Sequence, residues 1–199
     1  MRSKKFTYTL AAASATAFAT GLTGAGPFTT FAAQTDGTAH QTTLTSAAVL
    51  NGINMTIVGT DANGNVQREV IAGPNANTIN LAKYYKSITS ITAASTLGAN
   101  TMNVGITALV QTPYYVTDFA KLTGPNVVVG VGGTITYTAQ QTNDNIFDLT
   151  NTPVWATLGT AGSTTSLSNM GSAGTTAIRV TVASHTSGVL SVIITQARV

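Results

Sequence analysis

Cysteine is absent from the chain, which removes a disulfide framework, a thiolate metal site and a cysteine nucleophile together. Charge is scarce as well. Only 8% of the 199 residues are Asp, Glu, Lys or Arg, far below the ~25% usual in soluble domains. A net charge of +3 beside 43% hydrophobic residues argues against a disordered chain, which needs the opposite balance. No run approaches the ~20 apolar residues of a membrane-spanning helix, so no membrane partner is expected. Long segments with helical periodicity are also missing, which leaves short helical turns as the most helix to expect.

What is abundant is threonine, 38 residues, together with 19 glycines. Threonine-rich, weakly charged chains read as β-proteins whose surfaces become covered by other subunits. Three of the nine basic residues are Arg2, Lys4 and Lys5. The other six are matched by the six acidic residues, so the body is formally neutral. Nothing in it forms the clustered basic face that nucleic acid requires.

Residues 1–35 stand apart in composition. Arg2-Ser-Lys-Lys5 followed by an Ala- and Thr-rich stretch has the look of a secretory signal, but Thr7, Thr9, Ser14, Thr16 and Thr20 interrupt the apolar run. Gly21, Gly24, Gly26 and Pro27 then break it. Two readings fit: an extended arm retained in the working protein and ordered only by lying on something else, or a signal-like leader. On the first, Arg2, Lys4, Lys5, Phe6, Phe28 and Phe31 are the residues expected to bind a partner, since basic tips and isolated aromatics are able to anchor an arm.

From His40 the pattern is strand, turn, strand. Ile53, Met55, Ile57 and Gly59 alternate with polar or outward positions. Asn63-Gly64 then supplies the pair suited to a type I′ hairpin turn, and Val66 to Ile71 returns. Further strands are expected at 78–85, 86–93 and 101–107. After the Gln111-Thr-Pro113 break, Val127 to Val131 and Thr134 to Gln140 read as two strands joined by a hairpin at Gly132-Gly133. Thr152 to Thr157 carries the single Trp, 159–174 is a Gly/Ser/Thr loop, and Thr176 to Ala183 and Val189 to Gln196 are two strands linked through His185 to Gly188. The expected fold is all-β: two tandem small antiparallel β-sandwich or barrel-like domains, 36–110 and 111–199, preceded by the arm over 1–35.

Chemical motifs are weak. Asp61-x-Asn63-x-Asn65 opens like a calcium loop, but Val66 and Ala72 occupy the positions where that loop needs Gly and a bidentate Glu, so a hairpin is expected. Asp144 and Asp148 are the nearest pair for the two facing carboxylates a glycosidase needs, but they lie in a polar segment of good turn formers, and that role is the one expected. His40 and His185 have no Gly-x-Ser-x-Gly elbow to work with and are too few for zinc. Gly130-Val-Gly132-Gly133 lacks the rest of a dinucleotide loop. Tyr84-Tyr85, Tyr114-Tyr115 and Trp155 could form a sugar platform, although an adjacent Tyr pair in a sandwich usually sends one ring into the core. The expectation is a non-enzymatic protein with no catalytic residue, no metal and no cofactor.

GTDANGNVQREVIAGPNAN (Gly59 to Asn77), YYKSITSITA (Tyr84 to Ala93) and MNVGIT (Met102 to Thr107) occur in that order. They are followed by GTITYTAQ (Gly133 to Gln140), the Trp155 strand and TAIRVTVASHTSGVLSVIITQ (Thr176 to Gln196). This succession resembles small β-sandwich virion proteins of tailed bacteriophages. The resemblance implies a structural component of the particle: a head decoration or cement protein that binds the major capsid protein or other virion proteins and self-associates, a homotrimer first. Within the particle the alternative is a tail adaptor, nozzle or fibre component. From another class, the alternative is a secreted bacterial β-sandwich module that binds polysaccharide. The 1–35 arm lies outside the pattern.

Overall fold

The computed structural model describes residues 2–118, 123–148 and 152–196. Within them the chain is all-β. The strands are β1 Arg2–Thr9, β2 Ser14–Leu22, β3 Ala39–Thr45, β4 Asn54–Thr60, β5 Val66–Ala72, β6 Thr78–Tyr85 and β7 Ser87–Ala93, then β8 Met102–Gln111, β9 Tyr115–Val116, β10 Asn126–Thr142, β11 Ala156–Thr157, β12 Leu167–Met170 and β13 Ala177–Gln196. Two compact units divide them: Ala11–Gln111, and Met1–Leu10 with Thr112–Val199.

The expected arm over 1–35 is therefore not one segment. Its first part is strand β1, paired antiparallel with β13 from Arg2↔Gln196 to Thr9↔Val189. Its second part holds β2, which pairs with β8. The physical reason is visible once the faces are known. Tyr8, Leu10 and Phe18 are buried while Thr7, Thr9 and Thr16 face water, an inside/outside alternation hidden by the many alanines and threonines between them.

In the 11–111 unit, β2, β8, β3 and β6 form one sheet, and β5, β4 and β7 form another. Phe18, Leu44, Met55, Ile57, Leu81, Tyr85, Ile91, Met102 and Val104 make a single core from both. Each such side chain, fully buried, contributes about 1.5–3 kcal/mol. The alternation over 53–59 is realised, with Met55 and Ile57 inward. Gly59 is buried on the same face, where a Cβ would lie 2.8 Å from the ring of the core residue Tyr85. The β4–β5 hairpin forms as expected, but its turn is not type I′. Positive φ occurs at Gly64 (89°) and not at Asn63, and the Gly64 N–H donates to the Asp61 carbonyl at 3.1 Å, the pattern of a type I turn closed by a left-handed glycine.

In the other unit β10 and β13 replace four expected strands. Gly132-Gly133 is not a hairpin and His185 to Gly188 is not a link. The two segments pair continuously with each other from Asn126↔Thr195 to Thr142↔Ala177, with Gly133 opposite Gly188. Facing glycines let the backbones approach closely where the expected turns were placed. Ala183 and Thr186 have no partner in the register, so β13 carries two single-residue bulges. One bulge reverses which side of a strand faces inward, and the second restores it. Ile178, Val180 and Val182 before them and Leu190, Val192 and Ile194 after them are thus buried together, and His185 is buried between them. The expected Trp155 strand shrinks to β11, and the expected loop 159–174 contains β12, paired with β10.

Candidate docking surfaces

Asp36, His40, Asp61, Glu69 and Asp144 are committed to the scaffold. Asp36 Oδ2 lies 2.7 Å from His40 Nε2, and its carboxylate also accepts the Ala11 and Thr38 N–H groups and the Thr38 hydroxyl. Burial alone would raise the Asp36 pKa. The bond from His40, the Ala11 and Thr38 amides and the nearby imidazole outweigh it and hold the carboxyl well below its ordinary range. The arrangement has the look of the Asp–His half of a hydrolase triad, but His40 Nδ1 faces the Thr107 main-chain carbonyl at 3.4 Å. The His40 and Asp36 side chains are 0% and 3% exposed, which closes the pair to any substrate.

Asp61 accepts the Asn63 and Asn65 amides inside its own hairpin. Glu69 accepts the Ala82 and Lys83 amides at 2.8 and 3.1 Å. Asp144 accepts the Val154 amide at 2.6 Å. Among the described residues no group of three or more His, Asp or Glu could hold a metal ion.

Both tyrosine pairs split as a sandwich predicts: Tyr85 and Tyr115 are buried, and Tyr84 and Tyr114 are half-buried. Trp155 has the Arg179 guanidinium 4.1 Å over its ring, so one face needed for sugar stacking is already occupied. A shallow cleft of about 230 Å³ lies nearby, lined by Gln141, Asn143, Asp144 and Val154 among others.

The residues expected to anchor a partner fall in both units. The Arg2 main chain pairs with Gln196 at the end of β1. Lys4 and Lys5 are exposed on that strand, as are Ser3, Thr7 and Thr9. Phe6 stacks on Tyr115, ring centroids 4.1 Å apart and tilted by 30°. Phe28 bridges to Ile91, and it and Phe31 pack on the core of the 11–111 unit. The three phenylalanines are thus used within the fold, and Lys4 and Lys5 stay exposed.

A surface missed in the sequence lies on β5. Val66 is 78% and Val70 52% exposed, with Arg68 between them. They face outward with Thr60, Val58 and Thr56, their register partners on β4. The polar alternates point the other way: Gln67 donates to the Tyr84 carbonyl and Glu69 caps the β6 amides. Val66 and Val70 outward with Gln67 and Glu69 inward is the reverse of the usual sense. Period-two spacing was readable in VQREVIA, but its direction depends on Gln67 and Glu69 reaching main-chain groups of β6, which sequence does not reveal.

The described strands therefore offer two candidate contact regions, the exposed β1 edge in one unit and the outer β5–β4 face in the other. No protein-family model, curated protein or solved structure matches this chain, so these regions stand on their own geometry.

Proposed function

We propose that this chain is a non-enzymatic structural subunit of a tailed-phage virion, a capsid cement or decoration protein that binds the major capsid protein where subunits meet. The observation that carries the reading is β1. It is an eight-residue strand paired in register only with β13 among the described strands, and it presents main-chain groups along its other edge that a neighbouring strand could meet. The outward valines of β5 add apolar area, and the near-neutral body limits the desolvation cost of covering it. Lys4 and Lys5 keep the edge from pairing indiscriminately in solution.

The test is to localise and count the chain in purified particles. Hundreds of copies at capsid junctions support cement. A few copies matching the symmetry of the tail assign it to an adaptor, nozzle or fibre, and absence from particles revives the secreted polysaccharide module. Release by salt reads the chemistry of attachment. Strand-edge and apolar docking survives ~0.5 M NaCl, where the Debye length falls to about 4 Å, whereas loss of most copies by ~0.2 M would assign attachment to Arg2, Lys4 and Lys5.

A further inference from the structure

The dipeptide Asn-Gly occurs twice, at Asn51-Gly52 and Asn63-Gly64, and the two are held in opposite ways. Both pairs are exposed. At the second, the Gly64 N–H donates to the Asp61 carbonyl. The Asp61 carboxylate fixes the Asn63 and Asn65 amides at 2.8 and 2.9 Å, and Gly64 is locked at φ 89°. At the first, the turn is closed around the pair by Ile53 N–H to the Leu50 carbonyl at 2.9 Å. Among the described residues the Gly52 N–H has no acceptor, and no atom lies within 4 Å of where a Gly52 side chain would start.

We propose that Asn51-Gly52 is a site of spontaneous covalent modification, converting to isoaspartate with water as the only co-reactant, and that Asn63-Gly64 is protected by its hairpin. The Gly52 amide nitrogen attacks the Asn51 side-chain carbonyl carbon. The new C–N bond closes a succinimide, and the side-chain nitrogen leaves as ammonia, carrying the proton lost by Gly52. Water then opens the ring at either carbonyl, giving isoaspartyl or aspartyl. The sum is asparagine plus water to carboxylate and ammonium.

Reaction at Asn51 requires only that an exposed turn flex. Reaction at Asn63 requires that the Gly64 N–H leave its acceptor and Asn63 its carboxylate clasp, and a lost hydrogen bond of ordinary strength slows a reaction about tenfold. The product places a negative charge and, in the isoaspartyl form, one extra main-chain carbon between Leu50, which is buried in the core, and the start of β4.

The experiment incubates the full chain in mildly alkaline buffer, folded and in parallel in denaturant, and quantifies isoaspartate at each site by peptide mapping. In the folded chain Asn51 should convert about tenfold faster than Asn63, and in denaturant the two rates should converge. Gly52→Ala, which meets no neighbour and sits outside the positive-φ region, should suppress the product at Asn51 while circular dichroism is unchanged. Equal rates in the folded chain, a faster Asn63, or conversion at both sites only in denaturant would overturn the proposal.

Discussion

Asp36 shows how a single residue ties distant parts of the 11–111 unit together. Its carboxylate receives the amide of Ala11, next to the boundary of the unit, and the ring of His40 at the start of β3. Because its pKa is depressed in the folded state, its stabilisation is fully present above the ordinary carboxylate range near pH ~4. It is lost as pH falls below that range toward the folded value. Asp36→Asn should cost about 3 kcal/mol at neutral pH, as expected for breaking a buried pair. It should also flatten the acid limb of stability against pH, measured by denaturant unfolding across that limb. An unchanged acid limb would show that another carboxylate governs it.

The strands differ in how far they could be read from sequence. β4 was legible because its alternation is strong and both neighbours are polar turns, and the Asp61 to Asn65 hairpin followed from its turn residues. β10 and β13 were each cut in two, because Gly132-Gly133 and His185 to Gly188 are turn formers in isolation and only the pairing of one against the other keeps each strand continuous. β1 and β2 were missed as strands because Ala and Thr blur the contrast between faces. The contact surfaces were less legible still: Lys4 and Lys5 were singled out by charge, whereas the β5 valines depend on which way a strand faces.

The glycine pair also gives a test at this scale. Gly188 has φ 144°, and a Cβ there would come within 2.3 Å of the Gly132 carbonyl oxygen. At Gly132 the nearest such contact is 3.9 Å. Gly188→Ala should therefore destabilise its unit by about 2–4 kcal/mol, through strain and steric clash. Gly132→Ala should stay within about 1 kcal/mol, as read by thermal unfolding. Equal effects would mean that the crossing adapts to a side chain.

For the molecule as a whole, the first ten residues belong to the same unit as the last strand. Removing residues 1–10 deletes the strand that covers residues 189–196 and exposes what Tyr8 and Leu10 bury. Two such side chains are together worth about 4 kcal/mol, a large share of the 5–15 kcal/mol by which a domain is stable. The truncated chain should lose amide-exchange protection over 189–196 while 39–45 keeps its own. Full protection at 189–196 would show that β1 is dispensable. The same pairing sets an order of events during synthesis. Residues 11–111 build a hydrophobic core of their own and can begin to fold as they emerge. Residues 2–9 must wait for 189–196, and at roughly 5–20 residues per second that wait lasts on the order of ten seconds or more. For that interval the nascent chain carries an unpaired Thr-rich strand on the ribosome, and the two lysines at its centre guard it against pairing with the strand of the next ribosome on the same message.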